Sequence, residues 1–214
     1  MTFNNYLKKF QVISIIDYEM GNLYSIKGAL EFLNFEYEVI SDPALIAKAE
    51  KIILPGVGSF NKAMSIIKER GVDKALEDSV LGRGTPILGV CLGMQLLAKK
   101  GNEGGACSGL NFIDASIEKI ELIDKRLKIP HVGFNTAHYI KDKKMFEGLE
   151  PELDFYFVHS FIMKNVEKGA IAATTNYGVE FVSAVEKNNI WGCQFHPEKS
   201  QLSGLRLLKN FLEI

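Results

Sequence analysis

Short apolar runs alternate with segments of helical periodicity through the first half of the chain. Four runs have the length of buried strands, and they lie at residues 12–17, 37–41, 51–55 and 86–90. Asn22 is placed to cap a helix that ends near Leu33 and carries apolar residues on one side. Strands that alternate with helices are typical of parallel βαβ units. We therefore predict an α/β fold with a doubly wound, mostly parallel sheet and flanking helices.

The other predicted elements come from the same signals. Helices are expected after Pro43, from Ser59 to a break at Gly71, at 72–81 and at 202–211. Beyond Gly101 the helical pattern gives way to glycine-rich and alternating segments. Strands are expected at 116–123, 126–131, 155–158, 170–175, 181–186 and 190–195. This second set predicts a smaller antiparallel sheet in addition to the parallel one.

Composition and charge narrow the class of protein. With 214 residues, 47% of them hydrophobic, the chain is expected to form one domain at 12–214 after a short polar extension at 1–11. A net charge of −1 without a basic stripe argues against nucleic-acid binding. The absence of an 18-residue apolar run and of a signal peptide argues against membrane association. Three cysteines without pairing or metal-ligand spacing favour a reducing, cytoplasmic location, and we predict no metal and no cofactor.

The strongest chemical signal is Cys91, which stands between Gly89 and Gly93 where a predicted strand meets a predicted helix. Glycines two positions either side of a nucleophile form an elbow, because strand and helix can approach each other where side chains are missing. The thiol then lies at the carboxyl edge of the sheet. Helix N–H groups beside it favour a thiolate and can bind an oxyanion. The alternative is a buried structural cysteine at a tight turn.

A base and a carboxylate follow far downstream. His196 ends a predicted strand, and Glu198 follows after Pro197. Residues two apart in extended backbone project to the same side, so the carboxylate can orient the imidazole. Cysteine, histidine and a carboxylate then supply a nucleophile, a base and an orienting group. The spacing does not prove that Cys91 and His196 meet, and a histidine at a strand end is often a surface residue.

Six segments carry a family resemblance. Leu-Pro-Gly-Val-Gly-Ser-Phe (54–60), Gly-Val-Cys-Leu-Gly-Met-Gln (89–95), Tyr-Phe-Val-His-Ser (156–160) and Gln-Phe-His-Pro-Glu-Lys-Ser (194–200) resemble class I glutamine amidotransferases. Ile-Asp-Tyr-Glu-Met-Gly-Asn-Leu (16–23) and Pro-His-Val-Gly-Phe-Asn (130–135) are similar to the glutaminase subunits of imidazole glycerol phosphate synthases.

The resemblance implies a reaction and a partner. The implied reaction is hydrolysis of glutamine to glutamate and ammonia through a cysteinyl thioester. The implied partner is a (β/α)₈-barrel cyclase in a heterodimer. It receives the ammonia through a tunnel and forms imidazole glycerol phosphate in histidine biosynthesis.

The resemblance also implies roles for individual residues. The implied nucleophile is Cys91, the general acid and base is His196, and the orienting carboxylate is Glu198. The implied oxyanion donors belong to Leu92, Val57 and Gly58. The implied substrate-binding residues are Gly56, Gln95, Glu103 and Ser160. The implied partner contacts are Tyr18, Asn22, Asn135 and Lys199. Without the resemblance, Gln95 and Glu103 would be interpreted as surface polar residues.

Three residues depart from the family pattern. Glu19 stands at a common glycine, Phe134 at a common tryptophan and Phe161 at a common tyrosine. A glycine at position 19 suggests a positive φ, which a glutamate adopts with strain. The departures bear on the partner more than on hydrolysis. They leave open a paralogous amidotransferase that supplies ammonia for surface-sugar amidine synthesis. An alternative of a different class is an inactive regulatory subunit that only binds a barrel.

Overall fold

The computed structural model describes residues 12–140, 142–150 and 152–214, so the predicted extension at 1–11 lies outside the described residues. The strands are β1 (Ile13–Ile16), β2 (Tyr37–Ile40), β3 (Lys51–Gly56), β4 (Ile87–Cys91), β5 (Ala98–Gly101), β6 (Cys107–Ser108), β7 (Ile113–Lys119), β8 (His131–Tyr139), β9 (Glu152–His159), β10 (Phe161–Lys164), β11 (Ile171–Asn176), β12 (Glu180–Lys187) and β13 (Ile190–Cys193).

Helices connect and flank these strands. The α-helices are α1 (Leu23–Phe32), α2 (Pro43–Ile46), α3 (Phe60–Glu69), α4 (Val72–Glu77), α5 (Leu92–Leu96) and α6 (Gln201–Leu212). A π-helical segment at Asp78–Gly82 extends α4, and 3₁₀ turns lie at Lys144–Phe146, Lys168–Ala170 and Pro197–Lys199. None of the helices in the described part of the chain is long and apolar enough to cross a membrane.

Parallel strands in the order β2-β1-β3-β4-β13 form the part of the sheet that positions the site. Their register aligns the carboxyl ends of neighbouring strands. Gly56 at the end of β3 lies opposite Cys91 at the end of β4, and Val90 lies opposite Cys193 of β13. The chain that leaves β13 therefore passes beside the cysteine, although the two segments are far apart in sequence.

Antiparallel strands continue the same hydrogen-bonded network. Strand β12 pairs with β13, β10 and β11, and β11 pairs with β8, which pairs with β9. Beyond β10 follow β7, β5 and β6. The structure confirms the predicted α/β class with a mostly parallel central sheet and additional antiparallel strands.

Alternate residues of the central strands enter two separate apolar cores, because successive side chains of a strand point to opposite faces. Ile52 and Ile87 belong to the core that packs against α3, α4 and α5. Ile53 and Leu88 belong to the core that packs against α1 and α6. Helices thus cover both faces of the parallel strands, as a doubly wound sheet requires.

The sequence pattern predicted the elements up to Cys91 to within a residue or two at most boundaries. The strand predicted at 126–131 is wrong, because those residues form bends and turns before β8 begins at His131. The pattern also failed to predict most of β8, whose Gly133 and Asn135 have low strand propensity. It also missed β5, β6 and β10, which have four residues at most and pair with neighbouring strands.

Two glycines allow α5 to pack directly on the sheet. A Cβ on Gly93 would overlap the backbone oxygen of Leu54 in β3. A Cβ on Gly89 would lie 2.7 Å from the backbone of Gly93. The predicted close approach of strand and helix is therefore present on both sides of Cys91.

Substitution of these glycines tests the packing. We expect Gly93→Ala to lower the free energy of unfolding by about 1–3 kcal/mol, because the methyl group must displace backbone atoms. Gly28→Ala is the matched control, since Gly28 lies in α1 with no atom near its missing Cβ, and it should stabilise the protein by about 0.5–1 kcal/mol. Urea denaturation measures both changes. Equal effects of the two substitutions would show that α5 tolerates a side chain at its contact with β3.

Candidate active site

The backbone bends sharply at Cys91, between the end of β4 and the start of α5. Its φ of 55° and ψ of −110° are unusual for a residue with a side chain, and the surrounding packing must hold them. Leu92 is the first residue of α5, so its N–H belongs to the first turn, whose donors have no intrahelical acceptor. The thiol is 6% exposed and lies beside those donors.

The histidine and the carboxylate form a buried pair directly after β13. Nδ1 of His196 lies 2.8 Å from Oε1 of Glu198, and the two side chains are 3% and 2% exposed. With the carboxylate ionised, Nδ1 donates the hydrogen bond and Nε2 is left to act on a ligand. Nε2 has no hydrogen-bond partner among the described residues.

Ser200 positions the backbone of His196. Its hydroxyl donates to the carbonyl oxygen of His196 at 2.6 Å and accepts from the N–H of Tyr156 at 2.9 Å. The N–H of His196 donates to the carbonyl oxygen of Tyr156 at 2.8 Å. The histidine is therefore held between β9 and the turn that follows it, with little freedom to move.

Neighbouring negative groups determine the charge of His196. Burial by itself lowers the pKa of the imidazole, but the nearby Cys91 sulfur and Glu198 carboxylate outweigh this and raise the pKa from 6.5 to about 10. The imidazole is therefore protonated at neutral pH when the sulfur is a thiolate. Such a thiolate–imidazolium pair is the activated form of a cysteine nucleophile.

Cys91 and His196 open onto the same cavity of about 410 Å³, a volume suited to a small molecule. The predicted residues that line this cavity are Val57, Gly58, Cys91, Leu92, Gln95, Glu103, Ser160 and His196. Pro130, Val158, His159, Phe161 and Ser59 complete the lining. The structure thus brings the predicted nucleophile, base and most predicted substrate residues to one place.

The predicted oxyanion donors are not all free. The N–H of Val57 donates to the carbonyl oxygen of Met20 at 2.7 Å, so it cannot also donate into the cavity. Gly58 has a φ of +104°, a conformation that suits glycine and that a residue with a side chain would adopt with strain. The N–H of Val57 can therefore reach an oxyanion only after a change in its peptide orientation.

The predicted substrate-binding residues occupy different positions in the cavity wall. Gln95 is buried, with Nε2 donating to the carbonyl oxygen of Phe161 at 3.1 Å and to Oε1 of Gln194 at 2.9 Å. Glu103 accepts from the N–H of Phe60 at 2.8 Å, at the start of α3. Ser160 is half-buried in the cavity wall.

Gly56 has a packing role. A Cβ at this position would overlap the hydroxyl of Tyr18 and would crowd Leu92, and Gly56 does not line the cavity. The missing side chain allows the end of β3 to lie beside the elbow.

The four predicted partner contacts differ in how exposed they are. Tyr18 is completely buried, which corrects its placement at a partner surface. Burial, with the charge of Cys91, raises the pKa of Tyr18 far above 10, so its hydroxyl stays neutral. Asn22 and Asn135 are half-buried and Lys199 is exposed, its ammonium lying over the Tyr156 ring at 6.0 Å.

The three departures from the family pattern lie in different structural settings. Glu19 has a φ of 69° and forms an ion pair with Arg70 at 2.7 Å, so the chain adopts the conformation expected of glycine and uses the side chain to anchor the loop. Phe134 is 51% exposed on β8 and contacts Tyr156 in a T-shaped arrangement. Phe161 lines the cavity.

The sequence interpretation did not identify three functional neighbours. Gln194 donates weakly to the Cys91 sulfur at 3.8 Å, Ser200 positions His196, and the Met20 carbonyl engages Val57. Gln194 could have been considered, because it lies two residues before His196, directly after β13. No local sequence signal indicates the other two contacts.

Comparison with known families agrees with this geometry. A model described as glutamine amidotransferase class-I matches residues 14–214. The chain belongs to the class I glutamine amidotransferase family and is an enzyme of that class.

Several similar proteins are subunits of imidazole glycerol phosphate synthases. The chain is 45% identical to imidazole glycerol phosphate synthase subunit HisH 1 of Campylobacter jejuni strain RM1221, over 95% of this chain and 100% of that protein. It is 46% identical to HisH 2 of Methanococcus maripaludis, over 94% and 99%, and 42% identical to HisH 1 of the same organism, over 95% and 100%.

Two solved structures share the fold at low sequence identity. A glutamine amidotransferase superposes with a TM-score of 0.73 at 20% identity, covering 94% of this chain and 97% of that one. A second glutamine amidotransferase, from Thermotoga maritima, superposes with a TM-score of 0.62 at 17% identity, covering 95% and 81%.

Titration of His196 tests the electrostatics of the site. Because its folded pKa lies above 6.5, its charge stabilises the fold fully below pH 6.5, and this contribution is lost as the pH rises through about 10. We expect its imidazole NMR signals to titrate near pH 10 in the wild type and at lower pH in Cys91→Ala, which removes a negative neighbour. A wild-type midpoint near 6.5, or no change in Cys91→Ala, would contradict the ion pair.

Proposed function

We propose that the chain is the glutaminase subunit of an imidazole glycerol phosphate synthase, and that it hydrolyses glutamine to glutamate and ammonia. The observation that carries the chemistry is the shared cavity of Cys91 and His196, with Glu198 hydrogen-bonded behind the histidine. The high identity to HisH subunits over nearly the whole chain supports the assignment to the synthase.

The reaction begins with attack of the Cys91 thiolate on the side-chain carboxamide carbon of glutamine. The oxygen of the tetrahedral intermediate takes the negative charge and accepts from the N–H of Leu92. As the C–N bond breaks, His196 gives its proton to the departing nitrogen and ammonia leaves a thioester. His196 then removes a proton from water, which attacks the thioester, and the C–S bond breaks to release glutamate and restore the thiolate.

Ammonia must reach an acceptor without entering water, where it is protonated and loses its nucleophilicity. We propose that a (β/α)₈-barrel cyclase docks at the mouth of the cavity and receives it. Val132 and Phe134 of β8 and Val158 of β9 are apolar and 55%, 51% and 37% exposed, and Val158 also lines the cavity. An exposed apolar patch at the mouth of a site is typical of a docking surface.

Loss of the nucleophile tests the assignment. Cys91→Ser should reduce glutaminase turnover by at least about 10⁴-fold, because no other group in the cavity can form the thioester. A chloroketone analogue of glutamine should label Cys91 in a Cys107→Ser background, which removes the half-exposed thiol, while Cys193 is fully buried. Retained turnover in Cys91→Ser, or labelling elsewhere with Cys91 unmodified, would refute Cys91 as the nucleophile. Absence of both turnover and labelling in the wild type would support an inactive binding subunit.

Docking should activate the hydrolysis. The Val57 N–H is bound to Met20, whose loop also carries the predicted partner contact Asn22, so a partner can release it into the oxyanion site. One oxyanion donor contributes about 10²–10³ in rate. We therefore expect kcat for glutamine to rise by about 10²-fold or more when the cyclase subunit is added. Equal turnover with and without the cyclase would contradict this.

A second candidate is an amidotransferase subunit that supplies ammonia for surface-sugar amidine synthesis with a paralogous barrel. Glu19, Phe134 and Phe161 leave this candidate open, because all three depart from the family pattern and Phe134 belongs to the proposed docking surface. Two HisH proteins of Methanococcus maripaludis match this chain at 46% and 42%, so such identity does not separate paralogues.

The acceptor distinguishes the two candidates. The purified chain is mixed with each barrel subunit from its own source, and glutamine-dependent product is measured by mass spectrometry. Formation of imidazole glycerol phosphate from the phosphoribulosyl aminoimidazole-carboxamide intermediate supports the first candidate. Glutaminase activation only by a barrel that does not turn over this intermediate supports the second.

A further inference from the structure

Two buried histidines outside the proposed triad lie in the wall of the cavity. His131 of β8 and His159 of β9 face each other in register, and they are 2% and 6% exposed. His159 lines the catalytic cavity, whereas His131 lines a separate surface depression of about 330 Å³. The pair therefore connects the two cavities, and the proposed chemistry uses neither residue.

The hydrogen bonds of this pair run in one direction only. Nδ1 of His159 lies 2.9 Å from the carbonyl oxygen of Phe161, which can only accept, so Nδ1 carries the proton. In a neutral ring Nε2 of His159 is then an acceptor, and Nδ1 of His131, 2.9 Å away, must donate to it. Nε2 of His131 is in turn an acceptor, at 3.3 Å from Nδ2 of Asn135.

Asn135 fixes the outer end of this chain. Its Oδ1 accepts from the N–H of Thr136 at 2.8 Å, and its Nδ2 donates to the carbonyl oxygen of Asn176 at 2.9 Å. These two contacts decide the orientation of the amide. The nitrogen of Asn135 therefore faces His131, in agreement with the direction deduced from the inner end.

Both rings must be neutral for the chain to exist. Burial lowers the pKa of His131 to about 4, and burial, against a hydrogen bond to the Phe161 carbonyl, lowers the pKa of His159 to about 3. The rings of Phe157, Tyr177 and Phe181 surround the pair, and a positive charge on His131 or His196 further disfavours protonation of His159. A proton on either ring would set two N–H groups face to face.

The inner end of the chain meets Gln95. The Phe161 carbonyl accepts from His159 and also from Nε2 of Gln95 at 3.1 Å. Nε2 of Gln95 gives its other proton to Gln194. Because both amide protons are committed, Oε1 of Gln95 is the atom left for a ligand in the cavity, and it can accept only from a donor such as an ammonium group.

We propose that Asn135, His131 and His159 are positioning residues, whose hydrogen-bond chain fixes the Phe161 carbonyl and thereby holds the Gln95 amide with its oxygen towards the ammonium group of glutamine. This deepens the proposed function and rests on it. The chain acts on the binding of substrate and leaves the nucleophile and base untouched. Its loss should therefore raise KM for glutamine much more than it lowers kcat.

Two substitutions at His131 separate hydrogen bonding from packing. The ring is stacked on Phe157, with centroids 4.8 Å apart, and on Tyr177, with centroids 4.0 Å apart. His131→Phe keeps this stacking but removes the donor to His159. His131→Asn loses the stacking but places an amide N–H where Nδ1 donates.

We expect His131→Phe to raise KM for glutamine about tenfold, the effect of one buried hydrogen bond, with kcat changed less than threefold. His131→Asn should keep KM within threefold of the wild type, even with a lower melting temperature. His138→Asn is the control, because this histidine lies on the same strand with its side chain 52% exposed. Kinetics are measured with the cyclase subunit present.

The opposite order, with His131→Asn raising KM and His131→Phe leaving it unchanged, would show a packing role and overturn the proposal. A second measurement does not depend on activity or on stable variants. In ¹⁵N NMR of the wild type at pH 7, both His131 and His159 should carry their proton on Nδ1. A proton on Nε2 of either ring overturns the chain, whereas absence of glutaminase activity in the wild type refutes the proposed function and leaves this result standing.

Discussion

The close contact of α5 with β3 is the constraint on which the site depends. Gly93 removes the side chain that would separate helix and strand, and Cys91 takes up the resulting bend in a backbone conformation that few residues adopt freely. A helix of five residues has little stability of its own, so the sheet and its two cores must hold the bend in place. In return, the thiol is presented at the edge of the sheet, beside the first turn of α5.

The sheet also sets the electrostatics around the sulfur. Register places the end of β13 beside Cys91, and the turn after it brings a buried carboxylate and imidazole into the same small volume. Each charge is costly to bury alone, and together they compensate one another. The wall that contains His159 follows another principle, since the buried histidines His131 and His159 are neutral and act through the direction of their hydrogen bonds. The cavity thus combines a charged reacting edge with an uncharged binding wall.

The sequence was most informative where local chemistry and periodicity agree. The elbow at Cys91 follows from glycine spacing. His196 and Glu198 form the predicted pair, but a 3₁₀ turn at Pro197–Lys199, and not extended backbone, brings the two side chains together. The proximity of Cys91 to His196 follows from strand order, which no local pattern encodes. The burial of Tyr18 and the hydrogen bond from Val57 to Met20 depend on how a loop folds back. The wrong strand at 126–131 and the missed β8 share one cause, because a half-exposed strand with glycine and asparagine lacks the expected alternation.

The position of β13 between β4 and β12 has a consequence for biosynthesis of the chain. While the ribosome is still making the second half, β4 has an unpaired edge and Cys91 has neither His196 nor Glu198 beside it. Strand β13 pairs with this edge, and His196 follows shortly after β13. The nascent protein therefore brings His196 and Glu198 beside Cys91 only when its sheet is completed, so that the last step of sheet assembly is also the step that assembles the site.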